Sequence, residues 1–144
     1  MGPAGAGSLA QVINAALGAK PRFDAMKDFF EGVGEGHAAF EGVPEFRLYN
    51  PIGTVHGGFA ASLLDSALGC AIFSTLAKGE SWTTLELKLN FVRAMSKDTG
   101  PVRAEGRIIH RGRTVATSEG TLKNREGTLY AHATTTCMIF PAKK

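Results

Sequence analysis

The stretch NPIGTVHGG, residues 50–58, decides the fold, because it joins a turn to the beginning of a long apolar run. Its first four residues have the composition of a turn. Gly57 and Gly58 lie where a helix is expected to begin, and the first N–H groups of a helix have no intrahelical partner. Asp65 is the one charged residue in the run from 59 to 77. A single acid beyond a helix start of this kind indicates a catalytic centre.

The composition is typical of one globular domain: the chain has 144 residues, of which 44% are hydrophobic and 20% charged. We expect a flexible lead-in over residues 1–8, which lack the pattern of a signal peptide, and a single domain over residues 9–144. The net charge of +3 is carried by scattered basic residues, so the chain is not expected to bind nucleic acid.

The two cysteines, Cys70 and Cys137, suggest no disulfide framework, and neither has metal-ligand spacing. This pattern suits a reducing compartment and predicts a cytoplasmic protein without a metal site. The run from residue 57 to 77 approaches the length of a membrane span. Asp65 and four hydroxyl residues inside the run argue against membrane insertion.

Hydrophobic periodicity predicts the architecture around this run. The segment from Gly57 to about Leu76 is too long for a strand and apolar on nearly all sides, which is typical of a buried helix. Before it we expect a short helix beginning at Ser8 and two short strands around a turn near residues 34–36. After it we expect four strands, over residues 84–93, 102–110, 114–123 and 128–140.

The first of these four strands shows regular alternation of apolar and polar residues. Leu85, Leu87, Leu89 and Phe91 are expected on one face of it. The predicted fold class is therefore α+β, with an antiparallel β-sheet wrapped around one long central helix.

The pattern Asn-Pro-x-Gly-x-x-His-Gly-Gly, with an acid nine residues after the histidine, resembles the hotdog-fold acyl-CoA thioesterases. The similar branch is that of the phenylacetate-degradation and 4-hydroxybenzoyl-CoA enzymes. The resemblance extends over most of the chain, including the apolar helix, the strand at 84–93, the hairpin at 110–113 and the closing strand. It implies that the protein has a hotdog fold and that it hydrolyses an acyl-CoA thioester to the free acid and coenzyme A, without a cofactor.

The resemblance also implies roles for individual residues. The backbone N–H of Gly57 would polarise the thioester carbonyl, and Asp65 would be the nucleophile or the general base that activates water. Asn50 and His56 would position the water, the acid or the thioester, and Thr84 lies where this branch often carries a hydroxyl near the acid. For Asp65 the plainer alternative is a buried structural acid satisfied by its neighbours. For Asn50 and His56 it is a role in ordering the turn, and for Thr84 it is an ordinary strand threonine.

Further substrate contacts are predicted around this core. Gly58 belongs to the same helix start. Trp82 is a candidate for lining the acyl pocket, although an isolated aromatic residue at the start of a strand is more often a packing residue. Arg93, Arg111 and Arg113 are candidates for the phosphates of coenzyme A, because guanidinium groups suit phosphate geometry.

The spacing of the two central residues predicts an assembly. Gly57 and Asp65 are eight residues apart, which on one helix is roughly 12 Å of rise, whereas two groups that serve one carbonyl must both lie on the order of 3 Å from it. A two-fold homodimer with antiparallel central helices would bring Gly57 of one subunit opposite Asp65 of the other. A homotetramer formed from two such dimers is also expected.

Two other functions fit the same residues. In a hotdog hydratase or dehydratase, His56 and Asp65 from different chains would move a proton on an acyl thioester. In a binding protein, the same fold would hold an acyl-CoA without turnover.

Overall fold

The computed structural model describes residues 30–143, which form one six-stranded antiparallel sheet packed on one α-helix. The predicted lead-in and the helix beginning at Ser8 lie outside the described residues. The elements, in chain order, are β1 (Phe30–Gly34), β2 (His37–Gly42), a short 3-10 helix (Phe46–Leu48), α1 (Gly57–Phe73), β3 (Glu80–Phe91), β4 (Val102–Arg111), β5 (Val115–Asn124) and β6 (Leu129–Pro141). Every predicted element within this range is present, and the α+β class is confirmed.

The order of strands across the sheet is β1-β2-β4-β5-β6-β3, so β3 is an edge strand although it is the third in sequence. Among residues 30–143, the strand that pairs with β3 is β6. Between residues 30 and 143, no helix is long and apolar enough to cross a membrane.

Helix α1 begins at Gly57, as predicted, and ends at Phe73, three residues before the expected end. The hydroxyls of Ser74 and Thr75 donate to the carbonyls of Ala71 and Ile72, which satisfies acceptors of the last turn. The expectation that the helix is buried around its whole circumference is wrong for one subunit. The sheet covers one side, with Leu64 and Leu68 fully buried, and leaves a narrow exposed face.

That exposed face carries Ser62 and Asp65, which both lie on the side of α1 away from the core. A carboxylate on this face keeps contact with water, so it does not carry the desolvation cost of a buried charge. Asp65 is therefore an accessible acid on an otherwise apolar helix.

The helix packs unusually close to the middle of the sheet. A Cβ added to Gly106 of β4 would lie 2.5 Å from the carbonyl oxygen of Ala67. Its register partners on β2 and β5 are also small, Ala38 and Gly120. This row of small residues lets the backbone of α1 approach the sheet, and the large side chains Leu64 and Leu68 fill the space on either side.

A β-bulge interrupts the pairing of β3 with β6 between Thr84 and Glu86. Leu85 is the extra residue and is 56% exposed, so its predicted place on the apolar face is wrong. Leu87 and Leu89 pack on the core as predicted. Since a bulge breaks the two-residue alternation, Thr84 also faces the helix, although it is an odd number of residues away from them.

Candidate active site

The turn before the helix is organised by Asn50. Its side-chain oxygen accepts hydrogen bonds from the backbone N–H groups of Ile52, at 3.1 Å, and Thr54, at 3.2 Å. Its amide nitrogen donates to the Thr54 hydroxyl at 3.0 Å. These contacts are those of an Asx-type turn. They use the oxygen of the Asn50 side chain within the turn, so this residue shapes the loop that leads into α1.

His56 is the N-cap of α1. Its Nδ1 accepts a hydrogen bond from the N–H of Gly58 at 2.8 Å, and its own N–H donates to the carbonyl oxygen of Leu48 at 2.7 Å. A ring nitrogen that accepts carries no proton, so the geometry assigns the proton of the neutral ring to Nε2. His56 thus fixes both the start and the direction of the helix.

The N–H of Gly57 has no hydrogen-bond partner within residues 30–143, while those of Gly58 and Phe59 both bond to His56. It lies at the positive end of the helix dipole. A free donor at this place can bind an anion or a developing oxyanion.

The ring of Phe91, at the end of β3, lies directly over Gly57. A Cβ added at Gly57 would come within 2.7 Å of that ring, and Phe91 is nevertheless 60% exposed. Glycine at this position therefore has a steric cause. The aromatic ring and the free N–H present a surface on which a carbonyl and its acyl group could lie together.

Asp65 is joined to β3 by a hydrogen bond from the Thr84 hydroxyl, which donates to Oδ1 at 3.1 Å. The sulfur of Cys137 lies 3.8 Å from the same hydroxyl oxygen. Because that hydroxyl has one proton and gives it to Asp65, the thiol is the donor in the second contact. The bond leaves the second carboxylate oxygen, Oδ2, available for a water molecule or a substrate.

The predicted site residues therefore form two groups within one subunit. Asn50, His56, Gly57 and Gly58 form the first group, at the start of the helix. Asp65 and Thr84 form the second group, two turns further along α1.

The arginines predicted to bind phosphate lie in different environments. Arg111 forms an ion pair with Glu80 at 2.5 Å, and both side chains are largely covered. This pair joins the end of β4 to the beginning of β3. Arg93 and Arg113 are exposed and accessible to a ligand. Trp82 stacks on Phe73 with ring centroids 4.5 Å apart, which supports the packing interpretation.

Sequence reasoning missed two residues that touch the site, Phe91 and Cys137. Phe91 is the last apolar residue of the alternating strand, and no local signal showed that it would reach Gly57. Cys137 is the register partner of Thr84 on β6. The only available signal was its place in a strand predicted to pair, and that pairing could not be deduced from one sequence.

Within residues 30–143 a concavity lies away from both groups. A groove of about 740 Å³ lies on the sheet face away from the helix, among side chains such as His37, Arg107, Glu119 and His132. It includes neither Gly57 nor Asp65. Among residues 30–143 no group of three or more histidine, cysteine or acidic side chains is arranged to hold a metal ion.

We expect His56→Ala to lower the free energy of unfolding by about 1 kcal/mol, because it removes the N-cap bond to Gly58. His56→Asn should keep most of this stability, since asparagine is a good N-cap. Urea unfolding at one fixed protein concentration measures both variants. Equal stability of wild type and His56→Ala would contradict the capping role.

Burial raises the pKa of the Cys70 thiol to about 12, and the charge of Asp65 adds to the rise. We expect iodoacetamide to modify Cys70 very slowly in the folded protein at pH 8 and rapidly in urea. Between pH 9 and 12 the Cys70 thiol keeps its proton in the folded state but loses it in the unfolded state, where its pKa is near 9.0. The free energy of unfolding should therefore fall as the pH rises from 9 towards 12. A Cys137→Ala variant isolates the signal. Rapid modification of Cys70 in the folded Cys137→Ala protein would contradict a buried, protonated thiol.

The fold and the site together define a hotdog domain with a helix-start donor and an accessible acid. The model of the thioesterase superfamily matches residues 52–131, more than half of the chain. The chain belongs to this superfamily.

Individual relatives agree with this assignment. A candidate thioesterase and phenylacetic acid degradation-related protein from Ralstonia eutropha is 30% identical, covers 88% of this chain and 97% of its own, and superposes with a TM-score of 0.71. A protein of Streptococcus mutans solved with bound acetyl-CoA is 26% identical, over 80% of this chain and 90% of its own, with a TM-score of 0.70.

Matches among curated proteins are shorter. A candidate esterase of Saccharolobus solfataricus is 37% identical over 56% of each chain. A segment of 49 residues, 33% of this chain, is 65% identical to part of the 52.5 kDa chain of chlorophyllide reductase from Cereibacter sphaeroides. The chain spans 10% of the length of that reductase chain.

Proposed function

We propose that this protein hydrolyses an acyl-CoA thioester to the free acid and coenzyme A, in a site shared by two subunits. The single observation that carries the proposal is that one helix presents both a free N–H, at Gly57, and an accessible carboxylate, that of Asp65, which is bonded to Thr84. No cofactor is needed for this reaction.

A shared site is supported by the geometry of one subunit. Helix α1 is regular from Gly57 to Phe73, so the donor and the acid are separated by roughly 12 Å along its axis. The exposed helix face and the 12-residue edge strand β3 adjoin one another, and β3 exposes Leu85 and Phe91. A long edge strand with exposed apolar residues is prone to pair with another chain. A two-fold pairing along β3 would place the two helices antiparallel.

In the proposed reaction the Gly57 N–H binds the carbonyl oxygen and stabilises the negative charge that develops there. Asp65 of the other subunit either removes a proton from the attacking water or attacks the carbonyl carbon itself. The bond from that carbon to sulfur then breaks, and the coenzyme A thiolate leaves and takes up a proton. If Asp65 was the nucleophile, water then hydrolyses the anhydride between Asp65 and the acyl group, which releases the free acid and restores the carboxylate. Thr84 holds Asp65 through one oxygen and leaves the other for this chemistry.

Coenzyme A as the leaving group is supported by the Streptococcus mutans relative, which binds acetyl-CoA. The exposed Arg93 and Arg113 are proposed to contact its phosphates, while Arg111 is held by Glu80. Phe91 is proposed to lie against the acyl group, because its ring is exposed beside the donor. A dimer or a pair of dimers in the cytoplasm completes the proposal.

The test is release of free thiol from a panel of acyl-CoAs with aromatic and aliphatic acyl groups, measured together with hydration of enoyl-CoA. Turnover in the first assay and none in the second is the expected result, and the panel ranks the acyl groups. Hydration of enoyl-CoA would favour a hydratase instead. Tight binding without turnover in either assay would favour a binding protein.

A further inference from the structure

Thr135 lies on β6, paired with Leu87 next to the bulge of β3, and is buried, with 1% of its surface exposed. Its hydroxyl donates to the carbonyl oxygen of Glu86 at 2.6 Å. Glu86 is the first residue of β3 after the bulge. A buried hydroxyl therefore bonds to the backbone of β3 at the point where the strand changes phase.

That phase change decides which way Thr84 points. In a strand without a bulge, Thr84 would face the same side as Glu86 and Lys88, which are exposed, and the opposite side from Leu87. In this structure Thr84 bonds to Asp65 on the helix, while Leu87 packs on the core. Both contacts require an extra residue between Thr84 and Leu87, and in this structure that residue is Leu85.

A bulge can move along a strand if a neighbouring register has similar energy, because it disrupts the ladder wherever it lies. A short hydrogen bond from a buried hydroxyl opposes such a movement, since sliding the bulge would leave the hydroxyl without its acceptor. Thr135 is rigid enough for this task because its β-branched side chain has few rotamers.

We propose that Thr135 is a positioning residue of the active site, whose bond to the Glu86 carbonyl fixes the β3 bulge and so directs Thr84 at Asp65. The inference rests on the proposed function, in which Asp65 performs the chemistry. Thr135 itself lies on β6, beside β3, and acts through Thr84.

The kinetic test compares Thr135→Val, which keeps the shape and removes the hydroxyl, with Thr135→Ser, which keeps the hydroxyl. We expect Thr135→Val to lower kcat roughly ten- to a hundred-fold with KM within about two-fold, because a displaced catalytic group costs rate more than binding. Thr135→Ser should retain kcat near that of wild type. In a Thr84→Val background the Thr135→Val change should have little further effect, because both act on one contact.

The matched control is Ser118→Ala. Ser118 is the register partner of Thr135 on β5, is equally buried, and donates to the Leu68 carbonyl at 3.0 Å. The Ser118→Ala variant loses a similar buried hydrogen bond that does not involve β3, so its kcat should stay near that of wild type. Two results would overturn the proposal. One is a drop in the kcat of Ser118→Ala equal to that of Thr135→Val. The other is that Thr135→Val lowers kcat by the same factor in the Thr84→Val background as in wild type.

Amide hydrogen exchange of Leu85, Glu86 and Leu87 supplies a readout without substrate. Faster exchange of these amides in Thr135→Val, but not in Ser118→Ala, is expected. If the wild-type protein hydrolyses no thioester, the proposed function is wrong. Unchanged hydrogen exchange in Thr135→Val would independently refute the role of Thr135 in holding the bulge. If exchange becomes faster in Thr135→Val and kcat does not change, Thr135 holds the bulge, but its role in positioning Thr84 for catalysis is refuted.

Discussion

Asp65→Asn is expected to lower kcat for thioester hydrolysis by about 10²–10⁴-fold, the usual contribution of a positioned base or nucleophile. Asparagine keeps the size of the side chain and an oxygen that can accept the Thr84 bond. The folded state should therefore be retained, because Asp65 lies on an exposed face in the subunit. Thiol release at saturating acyl-CoA measures the effect, with circular dichroism as the check of folding.

A matched acid-to-amide control is Glu126→Gln, in the exposed turn between β5 and β6. It changes the net charge equally and should leave kcat unchanged. Wild-type turnover by Asp65→Asn would exclude Asp65 from the chemistry. Single turnover in heavy-oxygen water then separates its two roles, since label enters the Asp65 carboxylate only if that carboxylate attacks the substrate.

Gly57→Pro is the second change with a large expected effect, because it deletes the proposed carbonyl donor without removing the helix. Proline is well tolerated at the first helical position, and His56 already has the extended backbone that proline requires before it, with φ −60 and ψ 135. The Cβ would meet the Phe91 ring, so the change is made in a Phe91→Ala background. We expect kcat to fall about 10²–10³-fold relative to that background.

Gly57→Ala in the same Phe91→Ala background is the control, since it adds a Cβ and keeps the N–H. It should retain the kcat of the background. An equal loss in the alanine and proline variants would assign the effect to bulk near the site, and the donor role of Gly57 would be wrong.

The same variants test whether the site is shared. In a mixed dimer of Asp65→Asn with the Gly57→Pro, Phe91→Ala chain, one of two shared sites keeps both Gly57 and Asp65. Random mixing of inactive parents should then restore about a quarter of full activity. No recovery on mixing would place both groups of one site in the same subunit.

The sequence predicted the main elements well because their signals are local. Gly57 ends a turn and begins an apolar run, and α1 begins at that residue. The alternation after residue 84 and the turns near residues 112 and 125 likewise correspond to β3 through β6. Where prediction missed, it missed at the ends: β3 begins four residues earlier than predicted, and α1 ends three residues sooner.

The sequence by itself determined which residues could carry chemistry: one acid on an apolar helix and a glycine at its start. The tertiary structure alone decided how they are presented. Period-two alternation predicted that Thr84 would face away from Leu87, and a bulge held by a residue of another strand turns it towards Asp65. Arg111 is paired with Glu80, and Phe91 covers Gly57, through contacts across the sheet. These features depend on register and on side chains distant in sequence, whose free energies no local pattern contains.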